Sequence, residues 1–173
     1  MSLSGRNEHH LVVSNYLKAA TAIEPSRWNE PLAPGKWSPA QLTDHLRLTY
    51  RIVLEELEGG TGLRPRISWW LRVLLRLRFL PGILRTGRMP RPVMAPREVR
   101  PGDGPFDQAA LITALQQQSD RFEERLAART GGGHVLTHHL LGRFDAKTAW
   151  RFLAVHTEHH RRQLVGESAQ PPH

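Results

Sequence analysis

The chain contains no cysteine, which removes disulfides, thiolate zinc sites, CxxC redox pairs and cysteine nucleophiles from consideration. Lysine is scarce: Lys18, Lys36 and Lys147 are the only three among 24 basic residues. No uncharged apolar run approaches the roughly 18 residues that suggest a membrane span. The nearest tract, Ile67 to Leu84, is broken by Arg72, Arg76 and Arg78. The opening stretch, MSLSGRNEHHLVV, has no basic start followed by a long apolar run, so no secretory leader is expected and a cytoplasmic protein is. GxSxG, P-loop and dinucleotide fingerprints are absent as well. There is no internal repeat and no alternating pattern long enough to build a sheet, so the reading is all-α.

What is present is enough for a core. With 173 residues, 39% of them hydrophobic, the expectation is one domain over 1–173, with an insertion at about 60–105 and a disordered tail at about 167–173. The charge is uneven. Between Arg64 and Arg100 ten arginines face a single acid, Glu98, a local charge of +9 within a chain whose total is +8. The basic balance therefore belongs to one segment and not to the domain as a whole.

Four segments have helical periodicity and recognisable ends. The first runs from Glu8 to Ile23 through Leu11, Val12, Tyr16 and Ala19, and Pro25 stops it. The second has the clearest start: Ser38 as N-cap, Pro39 in the first helical position, Gln41 closing a capping box and Trp37 placed to staple onto Leu42. It continues to about Glu58, where Gly59 and Gly60 supply the C-terminal cap. The third begins at Asp107 and runs to Arg129, with Gly131, Gly132 and Gly133 ending it. The fourth starts after Asp145 and frays near Gly166. Four amphipathic helices most simply bury their stripes as a four-helix bundle.

The connection between the second and third helices is much longer than bundle loops usually are. It should carry a short helix over Ile67 to Leu80, after which Pro81, Pro90, Pro92, Pro96, Pro101 and Pro105 force extended chain. Three readings apply to it. It is a lid that packs its Trp and Leu side chains inward and snorkels its arginines to water, a dimer contact or mouth for an anionic ligand, or an amphipathic helix on a membrane surface.

Ten histidines are many, and their positions sort them. His9, His10 and His173 lie near the ends and read as solvated. His134, His138 and His139 fall in a glycine-rich turn and read as surface or capping residues. In HTEHH, residues 156 to 160, His156 and His160 are one helical turn apart, the spacing that lets two imidazoles reach one metal. Phe152 and Leu153 precede them and Leu164 follows, so both lie on the apolar stripe. His45 sits the same way on the second helix, with Leu42, Ile52 and Val53. Each alone could be a core histidine satisfied by one hydrogen bond. Three meeting in one core would leave several ring nitrogens without partners, at about 1–3 kcal/mol each, whereas one divalent cation satisfies three neutral imidazoles together and leaves open positions for water or substrate.

Two stretches, KWSPAQLTDHL (36–46) and HHLLGRFDAKTAWRFLAVHTEHHRRQL (138–164), together resemble the DinB/YfiT-like superfamily of metal-dependent enzymes: a Trp-Ser start to the second helix with a downstream His, then a His near a Gly turn and H-x-x-H-H-x-x-Q on the last helix. The resemblance implies an up-down-down-up arrangement of four helices, often homodimeric, with a divalent ion on His45, His156 and His160. Zinc or nickel suits such imidazole ligands, with iron or manganese as other candidates. It also implies low-molecular-weight thiols as co-substrates in transfer reactions. The long Arg-rich connection departs from the compact family pattern.

The function these features point to is an enzyme in which the ion activates a water or a thiol for hydrolysis or transfer on a small-molecule substrate. His159 and Gln163 are candidates for supporting or entrance positions, and arginines of the connection for carboxylate recognition. The rival is a non-catalytic module whose basic connection binds a polyanion or a protein. Arginines interleaved with Trp, Leu and Phe, and the lack of a recognition helix, argue against nucleic acid as that polyanion.

Overall fold

The computed structural model describes residues 3–64, 67–89, 94–129 and 133–167. The fold is mostly helical: α1 (Leu3–Thr21), α2 (Pro39–Leu57), α3 (Trp69–Thr86), α4 (Gln108–Ala127) and α5 (Ala146–Leu164), with a hairpin of β1 (His134–His138) and β2 (Gly142–Asp145) before α5. Single helical turns at Pro25–Arg27 and Arg97–Val99 complete it. The most extensive helix contacts pair α1 with α5 and α2 with α4; α1 also meets α4, and α2 meets α5. Their shared core includes Tyr16, Trp28, Leu46, Tyr50, Leu115, Phe122, Leu126 and Leu153.

The helix starts follow the chemistry of their caps. Ser38 Oγ accepts the Gln41 N–H while Gln41 Oε1 accepts the Ser38 N–H, both at 3.1 Å. Asp107 caps α4 through the Ala110 N–H at 2.7 Å, and Asp145 caps α5 through the Thr148 N–H at 2.8 Å. Each satisfies a donor that the first helical turn leaves free.

The hairpin corrects the all-α reading. Antiparallel pairing runs from His134 opposite Asp145 to His138 opposite Gly142, with an irregularity between His134 and Leu136. Five and four residues are too short for alternation to register. Side chains from elsewhere hold it. Glu56 of α2 accepts the Thr137 N–H at 2.7 Å and its hydroxyl at 2.6 Å. Arg76 of α3 donates to the carbonyls of Leu141 and Arg143 at 3.2 and 2.6 Å and lies 5.5 Å from the Phe144 ring centre. Glu56→Ala strips two donors of their acceptor and should cost about 1–3 kcal/mol in a thermal or denaturant melt.

Three boundaries also move. Helix α1 begins at Leu3, five residues before the expected Glu8, and α4 stops at Ala127, before the glycines. Of those, Gly131 and Gly132 lie outside the described residues, as do Pro90, Pro92 and the expected disordered tail from Ser168 to His173. Helix α3 runs 18 residues instead of ending at Leu80, and it takes Pro81 into its interior. The lost hydrogen bond falls on the exposed side of the helix, where water can solvate the freed carbonyl, and the burial of Leu80 and Ile83 offsets the cost of the ring.

The lid reading of the connection also needs correcting. Leu80 and Ile83 are buried, but Trp69, Trp70, Val73, Leu74 and Leu77 are exposed, while Arg76 reaches inward to the hairpin. Among the described residues no helix is long and apolar enough to cross a membrane.

Candidate metal centre

Residue 45 is seven positions into α2, about two turns from the Ser38 cap, and residues 156 and 160 lie on the face of α5 that meets it. The three rings converge. His156 Nε2 is 3.4 Å from His45 Nε2 and 3.2 Å from His160 Nε2, and one nitrogen of each ring lies within 4.8 Å of the other two. Two imidazoles bound to one tetrahedral ion at about 2.0–2.1 Å place their nitrogens about 3.3 Å apart, close to both separations.

The far side of each ring decides what its Nε2 offers. His45 Nδ1 donates to the Val99 carbonyl at 2.6 Å, and His160 Nδ1 donates to Gln163 Oε1 at 2.8 Å. Both rings therefore carry their proton on Nδ1 and aim the Nε2 lone pair inward. His156 sits between them, and its buried Nδ1 has no hydrogen-bond partner among the described residues. If His156 is protonated on Nδ1, three lone pairs face one another; if on Nε2, it can donate to only one of two acceptors and leaves an Nδ1 lone pair stranded. Neither tautomer satisfies the cluster. A cation accepts all three lone pairs, so the donor set fits a metal ion.

Electrostatics favour the ligating form. Burial, and after it repulsion from His160 and His45, holds His156 well below the usual histidine range. Burial followed by repulsion from His45 does the same for His160. For His45 burial again dominates, opposed by the Val99 carbonyl. All three rings are thus neutral near pH 7, as metal ligands must be.

The surroundings tie the connection to the site. Val99 belongs to the single turn Arg97–Val99, and the buried Asp44, next to His45, accepts the Gly102 N–H at 3.1 Å and the Arg47 guanidinium at 2.6 Å. Gln41 donates to the Gly102 carbonyl at 3.3 Å. The end of the Arg-rich segment is therefore pinned to the first turns of α2 beside His45. The Trp37 ring lies 5.1 Å from the His45 ring, and Phe152 stacks on His156 at 6.2 Å.

Gln163 spans two histidines, accepting from His160 and donating from Nε2 to His159 Nε2 at 3.1 Å. His159 is half-buried with its ring 5.1 Å from that of His160 and lies outside the converging trio. Gln163→Ala should weaken metal binding about 10- to 100-fold in a competitive chelator titration, while Gln163→Glu, which keeps the acceptor, should recover most of it.

The remaining histidines divide differently from expectation. His138 Nδ1 accepts the Leu140 and Leu141 N–H groups at 3.1 and 3.2 Å, closing the hairpin turn, and burial pushes its pKa down to about 3. His139 stacks on it at 4.6 Å, and His134 is exposed. His9 is not solvated: it is wholly buried on the face of α1 that meets Phe122 of α4 and Trp150 of α5, where Nδ1 donates to Glu123 at 2.9 Å and Nε2 accepts from Tyr50 at 2.7 Å. Sequence reasoning missed Glu123, Asp44 and the Val99 carbonyl. An acid inside an apolar stripe could have marked Glu123 and Asp44, but a backbone carbonyl leaves no trace in a sequence.

No curated protein and no solved structure gives a significant match to the chain. The profile of the DinB superfamily matches residues 9–164, a span that starts at the buried His9 and takes in all three converging histidines. The chain belongs to the DinB superfamily.

Proposed function

We propose that the chain is a metal-dependent enzyme in which His45, His156 and His160 hold one divalent ion, zinc or nickel by preference, and which acts on a small-molecule substrate by transfer or hydrolysis. The observation that carries this reading is the convergence of three neutral imidazoles, two of them fixed in the ligating tautomer by Val99 and Gln163. When bound, such an ion supplies Lewis acidity that lowers the pKa of a coordinated water or low-molecular-weight thiol and so yields a nucleophile near neutral pH.

The chain's own residues supply orientation. Val99 and Gln163 hold two rings in place, so little reorganisation is needed when a ligand enters. Trp37 and Phe152 flank the rings with apolar surface, which limits competing water. His159, whose Nε2 is engaged by Gln163, keeps its proton on Nδ1 as a donor at the edge of the cluster. The bundle of α1, α2, α4 and α5 in up-down-down-up order, a single domain over 1–173 and a homodimer form part of this reading on the strength of the family resemblance. Sedimentation velocity reads the last directly.

The test is elemental analysis of protein purified without an affinity metal column, followed by a screen of thiols against electrophilic acceptors. One equivalent of a transition metal per chain, with turnover that a chelator abolishes and the metal restores, supports the proposal. A folded protein that takes up no metal from excess zinc or nickel overturns it.

A further inference from the structure

The outward face of α3 is the largest feature that the metal centre leaves unexplained. Among the described residues eight large hydrophobic side chains are exposed, and five of them, Trp69, Trp70, Val73, Leu74 and Leu77, fall within nine consecutive residues of this helix. Trp69 and Leu77 are 71% and 70% exposed. Trp70, Leu74, Leu77 and Pro81 follow one another at spacings of three or four and form a single stripe. Arg78 and Arg85 stand exposed along its flank, and no acidic residue occurs anywhere from Arg64 to Arg97. An apolar patch of this kind marks a contact surface.

We propose that this face docks on an anionic lipid surface, with the Trp and Leu side chains entering the headgroup boundary and the flanking arginines meeting lipid phosphates. Charge complementarity selects this occupant. A second copy docked face to face would bring two arginine-bearing helices together with no acid on either to neutralise them. A nucleic acid would satisfy the arginines but leave Val73, Leu74 and Leu77 in water, since its bases offer flat surfaces for Trp and not a volume for aliphatic chains. A bilayer interface supplies both an apolar boundary and negative charge. Because Arg76 anchors α3 to the hairpin from the opposite side, the apolar stripe is held outward by the fold.

The experiment is co-sedimentation of the full chain with vesicles made of equal parts phosphatidylcholine and phosphatidylglycerol, compared with phosphatidylcholine alone and followed by tryptophan emission. Binding with a blue shift on the mixed vesicles, weak binding on the neutral ones and release by salt are expected. Leu74→Glu combined with Leu77→Glu should lower partitioning about tenfold or more, and Arg78→Gln and Arg85→Gln about fivefold each. Leu11→Glu, at an exposed apolar position on α1, should change nothing. Circular dichroism identical to that of the parent shows that the variants remain folded. The proposal falls if the folded parent ignores mixed vesicles, or if the double Leu variant binds them as well as the parent does. It also falls if the same double variant instead abolishes a concentration-dependent dimer, or if single-stranded RNA is retained where vesicles are not.

Discussion

His156→Ala removes the central ligand and should reduce bound metal from about one equivalent per chain to a few hundredths, with the fold retained. His156 is the ring that both others approach, at 3.4 and 3.2 Å, while His45 and His160 are each also anchored by a second partner. Removing it leaves two imidazoles, one from each of two helices, and a divalent ion held by two neutral nitrogens does not survive desalting. The vacated space borders Phe152, so the variant loses an orphaned Nδ1 as well as a ligand. Its metal-free form should melt no lower than metal-free parent by more than about 1 kcal/mol, because one unmet polar group is removed along with some packing. Holo parent should melt higher than either, by the binding free energy that the native state alone receives. Inductively coupled plasma analysis and calorimetry read both effects. His45→Ala should lose the metal equally but melt lower, because the Val99 carbonyl loses its donor in a buried position.

The sequence carried most of what places these residues. Periodicity and caps located α2 and α5 to within one or two residues, because Ser38, Gln41 and Asp145 act locally and a few bonds fix each helix start. The inward aspect of His45, His156 and His160 was legible for the same reason: one stripe on one helix fixes which way every residue on it faces. Other features escaped because they depend on partners far along the chain. The hairpin is held by Glu56 and Arg76, 81 and 65 or more residues from their partners. The burial of His9 depends on Glu123, 114 residues away. In α3, binary pattern alone gave a helix apolar around most of its circumference, and such a pattern does not say which side meets the core. Arg76 decides it, since its hydrogen bonds to the hairpin carbonyls turn the Trp-bearing side outward.

Replacing His9 should be the most destabilising change away from the histidine trio, and its cost should depend on pH with a predictable sign. A chain of hydrogen bonds runs from Thr157 to Tyr50 at 3.1 Å, from Tyr50 to His9 at 2.7 Å and from His9 to Glu123 at 2.9 Å, joining α5, α2, α1 and α4. Burial raises the Glu123 carboxyl, but the bond donated by His9, with His10 and Arg6 nearby, brings it below its ordinary value. His9→Ala leaves that buried carboxylate without its main partner and should cost about 3–5 kcal/mol in denaturant; Arg6, 3.8 Å from Glu123, offsets part of the loss. Burial depresses His9 below 6.5 despite Glu123, so just below pH 6.5 the unfolded chain binds more of the proton than the folded one. The stability contributed by neutral His9 is therefore complete above pH 6.5 and is lost as pH falls through that value towards the folded pKa. Each such histidine adds at most about 1.4 kcal/mol per pH unit to the acid slope. His138, depressed to about 3, adds its own share over the same window. His9→Gln keeps a neutral hydrogen-bonding side chain but cannot titrate, so its stability should fall less steeply than the parent's as pH drops below 6.5, by at most about 1.4 kcal/mol per pH unit, with the His138 share unchanged. Chemical denaturation across that window, with chelator present so that metal binding does not contribute, measures the difference. Parallel acid slopes for parent and variant would mean that His9 is already protonated in the folded state, and that the bond to Glu123 is an ion pair.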